Sequence, residues 1–377
     1  TPASLLLATL LTLGSSTALA QIELGPGDDV ETILNGLEPG DEAILADGMY
    51  TLEGRFGLAI SGTEAEPIVI RAADGATPHF RRGDASQNIW DLSVEHVVIR
   101  GLTFSGGSAG LRFESAADVT IEGCEIYDTA DVALRMNDGG QDYLRIAILR
   151  NHIHDTGGTG EGMYLGCNDD GCRLGDSLIE GNYVHHTDAG DVSQGDGIEL
   201  KDGSYGTTIR DNVIHDTNYP CILGYSTAGN GAQNVVEGNV MWACGDNGIQ
   251  WEANALIRNN IVVLGAAGAA LASQPHQENG PDALTIVHNT LINDGDALAV
   301  RNPSGPVTVA NNALYSMSRA LFVNGDTGRI TATGNGGQGS ATVGTLTTGT
   351  IGDDFVSASF SGALPQDVRL ADGSALP

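Results

Sequence analysis

A six-residue pattern recurs through the middle of the chain: an apolar residue, two variable positions, Asn, any residue, and a second apolar residue. It reads Ile148-Leu-Arg-Asn151-His-Ile153, Ile179-Glu-Gly-Asn182-Tyr-Val184, Ile209-Arg-Asp-Asn212-Val-Ile214 and Val236-Glu-Gly-Asn239-Val-Met241. Further copies centre on Asn260, Asn289 and Asn312, and Cys124 takes the Asn place in an earlier one. Successive spacings from 124 to 312 are 27, 31, 30, 27, 21, 29 and 23. Short alternating strands at such a period are the mark of a solenoid, because no single repeat can bury its inner face alone. A helical repeat needs apolar residues at three-four spacing over ten or more positions, and none occurs. The expectation is an all-β chain folded as a right-handed parallel β-helix solenoid. Coils would stack about 4.8 Å apart, with the Asn side chains forming an inward amide ladder at one corner.

A second strand per coil follows in Leu134-Arg-Met136, Met163-Tyr-Leu165, Ile198-Glu-Leu200, Ile222-Leu223 and Ile249-Gln-Trp251. Side chains alternate across a strand, so the apolar members point inward. Arg135, Tyr164, Glu199, Leu223 and Gln250 then form one outward column, and Lys201, Tyr225 and Glu252 belong to the next. A face of this kind suits an extended polysaccharide, with Arg135, Tyr164, Gln250 and Glu252 as candidate substrate-binding residues.

Outside the repeat, Leu5 to Leu11 form an apolar run and Ala18-Leu-Ala20 a small-residue cleavage site, so residues 1–20 are expected to be a signal peptide. Residues 21–85 are expected to supply an N-terminal cap and first coils, 86–340 the parallel β-helix, and 341–377 the last coil and C-terminal cap. Secretion, or a periplasmic location, follows from the signal. The formal net charge of −31 excludes nucleic acid and anionic membrane as natural partners; a monomer is expected. Five cysteines in an exported chain imply disulfides. Cys167 and Cys172 bracket a short loop, Cys221 and Cys244 fall on neighbouring repeats, and Cys124 reads as a buried free thiol.

Lys201 is the one lysine among seventeen basic residues. Guanidinium groups stay protonated in proteins, whereas a lysine ammonium can be tuned toward a neutral base, which makes Lys201 a candidate base. Glu161, Asp196 and Glu199 gather near it and could form an oxygen-rich calcium site. Arg210 is a tempting partner, but its column (Glu122, Glu180, Arg210, Glu237, Arg258) reads as a ladder of surface ion pairs. Tyr127, His154, His185, His215 and Trp242 make another column, three residues after each Asn position. Histidines there can serve turn backbone, His215 is a candidate acid or base, and three stacked imidazoles could hold a transition metal, although the spacing does not require it.

The segment Gly195-Asp-Gly-Ile-Glu-Leu-Lys201-Asp-Gly-Ser204, followed by Ile209 to Asp216 and Val236-Glu-Gly-Asn239, resembles polysaccharide lyase family six, which includes chondroitinase B and β-helical alginate lyases. Ile60-Ser-Gly-Thr63, Pro67-Ile-Val-Ile70 and Val98 to Phe104 look similar too, so the likeness covers most of residues 38–315. The resemblance implies that a Lys removes the proton at C5 of a uronate and an Arg one coil later protonates the leaving oxygen. It further implies calcium, held by acidic and Asn side chains, on the uronate carboxylate. Lys201 matches the base and Asp196 an acidic ligand five residues earlier. Gln194 stands where a second acidic ligand is expected, and Ile222-Leu-Gly-Tyr225-Ser226 has no Arg at the acid position, leaving Tyr225 as the candidate acid. The reading is a lyase cleaving a uronate-containing glycan by β-elimination. A C5-epimerase would use the same parts, a paired-carboxylate hydrolase is a further class, and a non-catalytic carbohydrate-binding or surface β-helix remains the alternative.

Overall fold

The residue just before each ladder position sets the shape of the chain. Gly123, Arg150, Gly181, Asp211, Gly238, Asn259, His288, Asn311 and Gly334 all have positive φ, between 53° and 69°. Seven of the nine are Gly, Asn or Asp, the types that reach this left-handed region at least cost. The chain therefore turns sharply at this corner of each coil, and the following Asn side chain is swung inward.

The computed structural model describes residues 21–263, 268–277, 280–374 and 376; the signal segment expected over 1–20 lies outside the described residues. Three parallel sheets run along the molecule, each coil giving one strand to each. In the central coils the first sheet holds Leu178–Glu180, Thr208–Arg210 and Asn234–Glu237. The second holds His152–Thr156, Tyr183–Thr187 and Val213–Thr217. The third holds Met163–Leu165, Ile198–Leu200 and Ile222–Gly224. Equivalent residues of successive coils lie in register, as Ile148, Ile179, Ile209, Val236 and Ile257 do. All five are fully excluded from solvent, and burial of each stabilises by about 1.5–3 kcal/mol. The fold is the all-β parallel solenoid that the repeat predicts.

The Asn column is an inward ladder. Asn182 Oδ1 accepts hydrogen bonds from the Asn151 backbone N–H at 2.9 Å and from Asn151 Nδ2 at 3.0 Å, while Asn182 Nδ2 donates to the Ile148 carbonyl at 2.9 Å. The same set repeats through Asn212, Asn239, Asn260, Asn289 and Asn312. It runs one rung further, to Asn335, which the repeat pattern does not identify. At the other end Cys124 N donates to Asn151 Oδ1. The Cys124 thiol itself is free, and burial pushes its pKa up to about 11.

Disulfides join Cys167 to Cys172 and Cys221 to Cys244. A short helix, Val30–Leu34, closes the N-terminal end with Val30 and Leu34 buried. Beyond the paired strands Gly336–Ala341 and Thr347–Thr348, a small antiparallel pair, Phe355–Ser357 with Asp367–Leu370, lies outside the solenoid sheet. No helix among the described residues is long and apolar enough to cross a membrane.

Candidate active site

Glu199 sits mid-strand on the third sheet with Tyr164 beside it on one coil and Leu223 on the next. Lys201 follows the same strand. Alternation alone would leave Glu199 in solvent, yet its side chain is 1% exposed and that of Lys201 5% exposed. Leu223 and Gln250 are buried as well. The expected open face is covered here because residues 274–277, inserted between two coils, lie across it. His276 Nε2 approaches Tyr225 OH at 3.1 Å, and the His276 N–H donates to Glu252 Oε1 at 3.2 Å. Gln277 Nε2 donates to Asn168 Oδ1 at 3.1 Å, tying this strap to a loop more than a hundred residues earlier.

Beneath the strap, Lys201 Nζ donates to Glu199 Oε1 at 2.5 Å and lies 3.3 Å from Tyr225 OH. Tyr225 OH in turn donates to the same Glu199 oxygen at 3.2 Å. The Lys201 ammonium also stands 4.7 Å from the centre of the Tyr164 ring and 4.9 Å from that of Tyr225. Burial disfavours the Lys201 ammonium, but Glu199, Tyr225 and Tyr164 together outweigh burial and hold its pKa above the ordinary lysine value. Burial, then Glu199, pushes the Tyr225 phenol up. Burial raises Tyr164 too, against the pull of Lys201. Burial and the Lys201 charge lower His276.

Glu161, Asp196 and Glu199 bring one carboxylate oxygen each within 4.8 Å of the others, and all three side chains are buried. Five of their oxygens, both of Glu161, both of Asp196 and Glu199 Oε2, accept no hydrogen bond. Burial raises the pKa of Glu161, and burial with the Glu199 and Glu161 charges raises that of Asp196. Buried carboxylates in this state demand either protons or a cation. A hard oxygen donor set fits calcium, so the residues present match the ion that the sequence suggests.

The remaining sequence candidates lie elsewhere. Arg210 is on the first sheet, where its Nη2 meets Glu180 Oε2 at 2.6 Å, and Arg258 meets Glu237 in the same way. It belongs to the ion-pair ladder and is not brought to Lys201. His215 is on the second sheet, stacked between His185 and Trp242, with Nδ1 on Asp216 and Nε2 on Tyr183 OH. Arg135 neighbours Tyr164 on the third sheet and donates to Asn137. Gln250 accepts from Asn247 and Gln274, and Glu252 is held under the strap. His276 was not singled out from the sequence. Its one trace there is the 29-residue step from Asn260 to Asn289, set between steps of 21 and 23.

Fold and site together define a β-helix of parallel coils carrying a buried lysine–tyrosine–carboxylate cluster on one face. The sequence matches the family described as right handed beta helix region over residues 80–183 and 162–314, and the chain belongs to that family. Among solved structures, an alginate lyase from Paenibacillus sp. str. FPU-7 aligns at 21% identity with a TM-score of 0.58, covering 82% of this chain and 98% of its own. A mannuronic acid specific polysaccharide family 6 lyase from human gut microbiota aligns at 16% identity, TM-score 0.50, covering 86% and 88%. The A-module of the Azotobacter vinelandii mannuronan C-5 epimerase AlgE4 aligns at 12% identity, TM-score 0.54, covering 81% and 91%. At these identities the likeness is one of fold. No curated protein matches the sequence.

Proposed function

We propose that the chain is an exported lyase that cleaves a uronate-containing polysaccharide by β-elimination, with Lys201 as the base. The observation that carries this reading is the juxtaposition of Lys201, Tyr225 and Tyr164 with the buried carboxylates Glu161, Asp196 and Glu199. Elimination needs a group to take the C5 proton, a group to protonate the leaving oxygen, and positive charge at the uronate carboxylate. In this reading Glu161, Asp196 and Glu199 hold calcium, which when bound supplies that positive charge. Lys201, its Nζ 2.5 Å from Glu199 Oε1, would release its ammonium proton to solvent and take the C5 proton in its neutral form. Tyr225, 3.3 Å from Nζ, would donate to the leaving oxygen, and Arg135, beside Tyr164 on the third sheet, would meet the incoming glycan. The two disulfides support an oxidising, non-cytoplasmic setting, and a monomer acting on soluble glycan is the working form.

The test is a screen of alginate, chondroitin, pectate and glucuronan in calcium for unsaturated uronate absorbing in the ultraviolet. Lys201→Arg keeps the charge but not an accessible neutral base, and should lower that signal by about 10²-fold or more. Activity that survives Lys201→Arg would sink the base assignment. No signal from the parent on any uronan, together with unchanged C5 configuration in the recovered glycan, would sink the catalytic reading.

A further inference from the structure

On the second sheet, the one before Lys201's in each coil, the outward side chains of two successive coils are almost all imidazoles. His152 and His154 alternate on the strand His152–Thr156, and His185 pairs in register with His154 on the next coil. One ring nitrogen of each of the three lies within 4.8 Å of one of each of the others. The ring centres are 4.2 Å apart for His152 and His154, and 5.0 Å for His185 with either.

The far sides of the rings are what make this more than a stack. His154 Nδ1 donates to Asp155 Oδ2 at 2.6 Å, which places the lone pair on Nε2. That Nε2 is buried and makes no hydrogen bond, with Glu125 Oε1 3.5 Å away. His152 Nε2 lies 2.8 Å from His185 Nε2. Two imidazole nitrogens at that separation share one proton between them. Each ring has an alternative place for it: His152 Nδ1 is 3.3 Å from Glu125 Oε1, and His185 Nδ1 is against His186 Nδ1. With the protons on the Nδ1 atoms, all three Nε2 lone pairs are free. A partner on the opposite ring nitrogen is how metal-binding imidazoles are oriented.

We propose that His152, His154 and His185 form a transition-metal site, suited to a borderline divalent ion such as zinc, that clamps two successive coils of the second sheet. Imidazole nitrogen favours such ions over calcium or magnesium. Zinc–nitrogen bonds of about 2.0–2.1 Å in a tetrahedral set separate two nitrogens by about 3.3 Å, so His152 and His185 need part by about 0.5 Å. His152 is 38% exposed at its side chain, leaving the ion an entry path and a fourth position for water. The site shares no residue with the Lys201 cluster and stands whether or not the chain is a lyase.

The experiment is equilibrium dialysis of the chelator-stripped full chain against zinc chloride, with melting followed in parallel. One zinc per chain, retained in excess calcium, and a melting temperature that rises with zinc concentration are expected. His154→Ala and His185→Ala should each weaken zinc binding by about 100-fold or more. Asp155→Asn should weaken it by about 10–100-fold. Asn tolerates the left-handed corner at which Asp155 sits (φ 54°), so this variant keeps the test open if an alanine variant fails to fold. Glu161→Gln should leave zinc binding unchanged. Absence of bound zinc in the parent, binding in both Asp155→Asn and His154→Ala as tight as in the parent, or loss of zinc through Glu161→Gln instead, would each overturn the proposal.

Discussion

Lys201 Nζ and Glu199 Oε1 are 2.5 Å apart in a setting almost without water, two residues from one another on a single strand. Residues two apart on a strand share a face, so the pair is local, but its burial comes from a distant segment. A surface pair of this sort contributes about 0–1 kcal/mol. Under the strap, neither partner can be removed without stranding the other.

Glu199→Gln should therefore destabilise the fold by about 3–5 kcal/mol, the scale for a buried charge left without its partner. Glu199→Gln with Lys201→Met should recover most of that loss. Urea denaturation measures both, and a single variant as stable as the parent would refute the account. The pair raises the Lys201 pKa above its ordinary value of 10.5. Its contribution is then complete below pH 10.5 and falls as pH rises through the folded value. The parent should lose stability on that alkaline limb more steeply than the double variant.

Asn212→Ala should cost about 2–4 kcal/mol. It removes the donor to the Ile179 carbonyl and the acceptor for Asn182 N–H and Nδ2, all buried. Asn335→Ala, on the last rung, also loses a donor to Val309 but lies nearer the end of the ladder, and should cost less. Melting of the two variants decides the order.

Reduction should rank the disulfides by the loop each closes. Cys221 and Cys244 are 23 residues apart and Cys167 and Cys172 only 5. Loop-closure entropy gives about 3.4 kcal/mol for the first and about 2.2 kcal/mol for the second. Paired Cys→Ala variants compared by denaturation test the order, and a larger loss at Cys167–Cys172 would contradict it.

Gln277→Ala should loosen the strap without unfolding the coils. It removes the hydrogen bond to Asn168 Oδ1 and the longer one from Asp169 N–H. At about 0.5–1.5 kcal/mol each, their loss should speed amide hydrogen exchange at His276 by about 10-fold while the amides of Ile198–Leu200 keep their protection. Unchanged exchange at His276 would mean that the strap is held by other contacts.

Periodic features were legible in the sequence because each coil repeats the same physical problem. The Asn column, the inward apolar register and the Cys221–Cys244 pair follow from that recurrence, while Cys167–Cys172 follows from the short loop between the two residues. Asn335 escaped because its rung, Ala332-Thr-Gly-Asn335-Gly-Gly337, carries Gly where the second apolar residue should stand. Reading Glu199 and Lys201 as outward was sound as strand geometry, but both are buried, and the strap on that face brings in His276 from 51 residues beyond Tyr225. Alternation says which way a side chain points and nothing about what an inserted loop lays over it. The carboxylate cluster was legible as a group, since Asp196 and Glu199 share one coil and Glu161 the preceding one. Arg210 and His215, near Lys201 in sequence, sit on other sheets because a coil turns a corner between them.

The left-handed residue and its Asn form a joint that refers only to the coils on either side of it. A whole coil could be duplicated or lost at such a joint while every hydrogen bond of the ladder is remade with a new neighbour of the same kind. The working face would then lengthen or shorten in steps of about 4.8 Å, with the curvature and the chemistry of the remaining rungs untouched. If the chain meets a linear polymer, as proposed, reach along the polymer becomes a quantity that inheritance can count out in units, separately from what happens at Lys201.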